Sequence, residues 1–150
     1  MIVESLNHLN KISKTISKKL ENGDCIFLIG EIGVGKTTFT RYLINNLQKQ
    51  KGLEETEVLS PTFNLLYEYE IKDLKIMHYD LYRIKKAKEL DNLGIFSEKE
   101  KTVKIIEWPD FIKTPLNNKL EIYLEHGEND NERKIRMQGL GKWKDFGNEL

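Results

Sequence analysis

Apolar residues near the start of the chain recur at helical spacing and then become contiguous. In SLNHLNKISKTISKKLENG, Leu6, Leu9, Ile12, Ile16 and Leu20 fall three or four apart. That spacing predicts an amphipathic helix stopped by Asn22-Gly23. The run CIFLI, from Cys25, has no polar position, as expected of a strand covered on both faces. After a glycine-rich stretch, TTFTRYLINNLQKQKG returns to helical spacing, with Phe39, Leu43, Ile44 and Leu47 on one side and Gly52 at its end.

EVLSPTF and NLLYEYEI read as extended segments around Pro61, and LKIMHYDLY as a further strand. A helical stretch is expected over about 85–93, and TVKIIEW reads as a strand closed by Pro109. KLEIYLEH and ERKIRMQGL alternate apolar and polar residues about GENDN, which predicts a hairpin. Strands alternate with helices first and become hairpin-like later. The order suits an α/β fold whose mixed sheet is parallel at its centre with antiparallel additions. No repeat, low-complexity segment or linker interrupts it, so residues 1–150 read as one domain.

Composition narrows the classes of function. The chain is 39% hydrophobic and 32% charged, ordinary for a globular protein. Its 24 basic and 24 acidic residues cancel, which argues against tight autonomous binding of RNA or DNA. No apolar run is long enough to span a membrane, and MIVESLNHLNKISK lacks the pattern of a signal peptide. The single cysteine, Cys25, sits in the apolar run and is expected to be a buried strand thiol. A cytoplasmic protein is expected.

The chemistry starts at Gly30-Glu31-Ile32-Gly33-Val34-Gly35-Lys36-Thr37, which satisfies G-x-x-x-x-G-K-S/T. It follows a buried-type strand and opens a helix. Backbone amides of such a loop wrap phosphates, and the helix N-terminus adds partial positive charge. Lys36 would neutralise β- and γ-phosphate oxygens, and the Thr37 hydroxyl would sit on Mg²⁺. The expected nucleotide contacts are Glu31, Gly33, Val34, Gly35, Lys36, Thr37 and Thr38.

Magnesium binding and water activation need an acidic residue at the end of a neighbouring strand. Asp80 ends KIMHYD and Glu107 ends TVKIIE, and both are candidates, with the division of labour open. Asp80 could instead cap the next helix, although Arg83 gives no capping box. Thr62, in SPTF, lies about 25 residues after Lys36, where switch proteins place a threonine that senses the γ-phosphate and Mg²⁺. Chemistry alone favours core packing for Trp108. His78 has no second His or Cys at metal spacing and reads as structural.

Three rival readings can be weighed. DNLG (Asp91 to Gly94) and NKLE (Asn118 to Glu121) imitate GTPase motifs. Asp91 follows KKAKEL instead of ending an apolar strand, and NKLE opens a strand, so adenine is favoured as the base. A small-metabolite kinase would need an arginine-bearing lid. The arginines are Arg41, Arg83, Arg133 and Arg136, and no arginine-rich lid stands out. A nucleotide-gated subunit serving a partner fits the lack of an in-cis arginine finger, without which hydrolysis is slower by about 10³ or more.

GEIGVGKTTFTR, SPTFNLLYEYE, HYDLYRI, LDNLGIF and KIIEWPDF, in this order, resemble the motifs of the bacterial TsaE (YjeE) ATPases over about residues 5–136. The resemblance implies a P-loop NTPase three-layer sandwich and a Mg-dependent ATPase. Such a subunit supports threonylcarbamoyl-adenosine modification of tRNA beside the anticodon by docking on a TsaB–TsaD heterodimer. It implies weak hydrolysis alone, stimulation by partners, and contact with tRNA only through the complex. Carried over, Lys36 and Thr37 bind phosphate and magnesium, Glu107 completes the magnesium site, and Asp80 supports hydrolysis. Thr62 then lies in a switch-like segment and Trp108 next to the nucleotide. Glu31, Val34 and Asp110 depart from the family's usual Asp, Ala and Glu, and none touches an assigned role. The segment around Ser5 matches loosely.

Overall fold

The structure, a computed structural model, describes residues 1–97 and 101–150. In chain order it contains β1 (Ile2–Val3), α1 (Leu6–Ser17), β2 (Cys25–Ile29), α2 (Lys36–Gln50) and β3 (Leu66–Ile71). There follow β4 (Leu74–Asp80), α3 (Ala87–Leu93), β5 (Val103–Glu107), β6 (Lys119–His126) and β7 (Arg133–Leu140). Two 3-10 turns, Gly141–Trp143 and Phe146–Glu149, finish the chain. The strands form one sheet in the order β1-β7-β6-β2-β5-β4-β3. Strand β2 pairs in parallel with β5 and β6, and β4 in parallel with β5. The β3–β4, β6–β7 and β1–β7 pairs are antiparallel.

The contiguous apolar run becomes β2 because its residues serve two cores in alternation. Ile26 and Leu28 join the larger cluster, with Leu9, Ile12 and Ile16 of α1 and Phe39, Leu43, Ile44 and Leu47 of α2. Cys25 and Phe27 point to the other face, with Met77, Tyr79 and Ile106. That side is covered by Leu90 and Leu93 of α3 and by Phe111 and Ile112. The layers are therefore helices, sheet, and helix with loop. Each apolar side chain of Leu or Ile size buried in this way contributes about 1.5–3 kcal/mol. Burial pushes the Cys25 thiol up to about 12, as befits a core residue.

Helix α1 begins where Ser5 accepts a hydrogen bond from the His8 amide on its side-chain oxygen at 3.2 Å. Leu6, counted in the apolar stripe, is exposed in its first turn. Residues 57–63, expected to be extended, run without a strand partner, and the region is anchored by buried Val58. The short β1 escaped the sequence reading, because two residues are too few for periodicity to register. DNLG lies at the C-terminal end of α3, where Gly94 is the left-handed cap. NKLE opens β6 opposite Cys25, at the far end of β2 from the glycine loop. Among the described residues no helix is long and apolar enough to cross a membrane.

Parallel pairing fixes the functional end of the molecule. Strands β2, β5 and β4 run the same way, so Ile29, Glu107 and Asp80 emerge at one edge, and Asp80 is the register partner of Glu107. The glycine loop leaves β2 at that edge.

Candidate functional site

The loop turns from β2 into α2 through backbone conformations that only glycine adopts easily. Gly35, the N-cap of α2, has φ 112°. At Gly30 a Cβ would lie 2.4 Å from the Leu124 carbonyl oxygen, so the loop crosses β6 at closest approach. Arg133 of β7 fixes the far side, its Nε donating to the Val34 carbonyl at 2.8 Å.

Lys36 folds back over this loop. Its Nζ donates to the Gly30 carbonyl at 2.6 Å and the Glu31 carbonyl at 2.8 Å. The ammonium also lies 4.3 Å from the centre of the Trp108 ring. Burial holds it below the usual lysine range, while Glu107 and Asp80 pull it back up. A cation this poorly solvated, with its own loop carbonyls as hydrogen-bond partners, is prepared to exchange them for phosphate oxygens.

The two carboxylates are held differently. Glu107 is buried, its Oε2 lying 2.7 Å from His78 Nε2. The Thr37 hydroxyl is 3.2 Å from both Glu107 oxygens. Asp80 accepts the Thr62 hydroxyl on Oδ2 at 2.9 Å and the Tyr82 amide on Oδ1 at 3.0 Å. The amide bond is the local turn expected of an aspartate at a strand end, and the Thr62 bond ties in the loop before β3. Thr62 also lies 2.8 Å from the Ser60 hydroxyl.

A cavity of about 350 Å³ brings most of these groups together: Gly33, Gly35, Lys36, Thr37, Thr38, Thr62, Asp80, Glu107 and Trp108 line it, with Ile32, Ser60 and Tyr82. Two expected contacts lie outside this lining. The Val34 side chain is buried in the core and Glu31 is exposed, and their carbonyls accept from Arg133 and Lys36. Trp108 does not simply pack in the core. It takes the left-handed conformation with φ 58° and stands 5.0 Å from the Tyr82 ring.

A second cavity, of about 530 Å³, flanks the loop on its other side. It shares Gly33, Gly35 and Thr38 with the first and adds Val34, Ser5, Leu6, Asp130 and Arg133. Sequence reasoning quoted Ser60 and Tyr82 only within longer motifs and Arg133 only among the arginines, and gave none of the three a place in the site. It read His78 as structural without its partner. The one signal for His78 was its place two residues before Asp80, which puts both on one face of β4.

A hydroxyl and a carboxylate at the mouth of a phosphate loop are hard oxygen donors suited to Mg²⁺. Among the described residues no cluster of three or more His, Cys, Asp or Glu side chains is arranged to hold a metal by itself. A cation at Thr37 and Glu107 would therefore share them with phosphate oxygens and water. The fit is that of a nucleotide-dependent site.

Comparison with known proteins identifies a family and a fold. A family model described as "Threonylcarbamoyl adenosine biosynthesis protein TsaE" matches residues 3–135. The tRNA threonylcarbamoyladenosine biosynthesis protein TsaE of Rickettsia felis is 36% identical over 126 residues, covering 83% of this chain and 71% of the relative. The TsaE protein of Aquifex aeolicus is 32% identical over 137 residues, covering 91% and 93%. The crystal structure of Bacillus subtilis YdiB superimposes with a TM-score of 0.74 at 27% identity, covering 99% of this chain and 90% of that one. With its phosphate loop at the carboxyl edge of a mixed sheet, the chain belongs to the TsaE family of threonylcarbamoyladenosine biosynthesis proteins.

Proposed function

We propose that residues 1–150 form one P-loop ATPase domain that binds and hydrolyses ATP with Mg²⁺. In this reading it supports threonylcarbamoyl-adenosine modification of tRNA next to the anticodon by acting on the TsaB–TsaD complex in the cytoplasm. The observation that carries it is the approach of the Thr37 hydroxyl to the buried Glu107 carboxylate, inside a cavity that also holds Lys36, Asp80 and Thr62.

Thr37 and Glu107 would hold the metal, whose chemistry is to neutralise charge on β- and γ-phosphate oxygens. The backbone amides of Gly33, Gly35, Lys36 and Thr37 face the phosphates, and Lys36 exchanges the Gly30 and Glu31 carbonyls for phosphate oxygens. Thr62, already bonded to Asp80, is placed to sense the γ-phosphate. Asp80 then orients the attacking water, and the ring of Trp108 shields the site from bulk solvent. The sugar and adenine extend past Thr38 towards the second cavity, beside Ser5 and Arg133.

Among the described residues no arginine lines the phosphate cavity. Arg133 is committed to backbone carbonyls, and Arg83 stacks over Phe63. Slow turnover alone and stimulation by the partner proteins follow from that. The zero net charge agrees with tRNA being held through the complex and with no binding to DNA.

The test is phosphate release from ATP by the protein alone, with TsaB–TsaD, and with a panel of hydroxylated metabolites. Release of inorganic phosphate that rises strongly with TsaB–TsaD is the expected result. Rapid phosphorylation of a metabolite would favour a small-metabolite kinase, and preference for GTP over ATP would revive a GTPase.

A further inference from the structure

His78 is fully buried on β4, on the same face as Asp80, and is the register partner of Ile105, two residues before Glu107 on β5. Among the described residues its Nε2 makes the shortest hydrogen bond to the Glu107 carboxylate, 2.7 Å to Oε2, while its Nδ1 is buried without a partner. The hydrogen-bond pattern assigns the proton. A buried carboxylate needs a donor, so Nε2 carries the hydrogen; a hydrogen on Nδ1 would be a buried donor facing no acceptor.

The Thr37 hydroxyl lies 3.2 Å from each carboxylate oxygen and so does not distinguish them. The imidazole is what makes the two oxygens unequal. We propose that His78 is a positioning residue of the cation site, pinning Glu107 Oε2 so that Oε1 is presented beside the Thr37 hydroxyl. This rests on the reading of Thr37 and Glu107 as the magnesium site. Groups that orient a metal-binding carboxylate from behind commonly change metal affinity about 10–100-fold when removed. An imidazole that merely filled the core would affect folding and leave the cation dependence alone.

The experiment titrates the full chain with a non-hydrolysable ATP analogue by calorimetry, across a Mg²⁺ series and in EDTA, with thermal unfolding of each variant alongside. His78→Leu keeps the volume and loses the donor. It is expected to raise the Mg²⁺ concentration giving half-maximal strengthening of nucleotide binding by about tenfold or more. Its affinity in EDTA should stay within about twofold of wild type. His78→Gln, whose amide nitrogen reaches the place of Nε2, is expected to retain the wild-type Mg²⁺ response.

A folded His78→Leu protein with a wild-type Mg²⁺ response would overturn the proposal, and so would a glutamine variant as impaired as the leucine one. If the leucine variant does not fold, His78→Asn replaces it, since its amide is too short to reach Glu107. Loss in Asn with retention in Gln supports the proposal, and a wild-type response in both refutes it. A wild-type protein whose nucleotide affinity ignores Mg²⁺ would instead remove the cation-site reading, and the proposal with it.

Discussion

The two halves of the sheet are built to different rules. At the carboxyl ends of the parallel strands β2, β4 and β5, the structure buries Lys36, Asp80 and Glu107 around one cavity, with His78 bonded to Glu107 behind it. Strands β6, β7 and β1, joined to one another by antiparallel pairing, bury Leu120, Ile122, Leu124, Ile135 and Val3, with Trp143 and Phe146 closing over them. Buried charge costs folding free energy, and apolar burial supplies it. The first half buries charge within its own apolar core at a cost, and the second buries apolar residues and, among the described residues, no charge. Arg133 and the Gly30–Leu124 approach join the two.

Substitutions can pull this division apart. Lys36→Ala should have the largest effect on function, weakening ATP binding about a hundredfold by calorimetry, the scale of one or two lost charge-assisted bonds. Burial lowers the Lys36 pKa, so its charged form disfavours folding at neutral pH. The melting temperature of Lys36→Ala should therefore hold or rise. A large fall would make Lys36 part of the scaffold and break the contrast.

Trp143→Ala should do the reverse. The indole is buried and packs edge-on to Phe146 at 5.2 Å. Its removal should cost about 3–5 kcal/mol in denaturant unfolding. Nucleotide affinity of the remaining folded protein should stay within about twofold. Arg133→Ala tests the junction, and losing its bond to the Val34 carbonyl should weaken nucleotide binding about tenfold while costing roughly 1.5 kcal/mol of stability. A change in stability alone would show that the halves are coupled through packing and not through the loop.

The remaining effect is one of pH. The Cys25 pKa is raised by burial to about 12, so the unfolded chain loses its thiol proton before the folded one. Stability from this group is complete below about pH 9 and declines towards pH 12, by up to about 1.4 kcal/mol per pH unit. Against Cys25→Val, wild type should lose stability more steeply between pH 9 and 10.5 in urea unfolding. Parallel profiles would mean that the thiol reaches water in the folded state.

Much of this was legible in the chain, for reasons that differ between regions. The glycine loop was readable because phosphate wrapping demands small residues at fixed local spacing, and Gly35 takes the left-handed conformation that the spacing implies. Asp80 and Glu107 were readable as ends of strand segments, a rather polar one for Asp80 and an apolar one for Glu107. The contacts of Thr62 with Asp80, His78 with Glu107, and Arg133 with Val34 were not. They join residues 18, 29 and 99 positions apart. No local pattern encodes such a distance.

The sequence by itself determined the helices and the strands other than β1, the apolar face of the amphipathic ones, and that a phosphate loop opens α2. Periodicity and turn chemistry act over a few residues, so those features are fixed locally. Tertiary structure alone decided that β5 lies between β2 and β4, that Asp80 and Glu107 share a register, and that a histidine stands behind one carboxylate and a threonine beside the other. Strand order and register follow from burying both faces of one sheet at once, a constraint on the whole chain that no single segment carries.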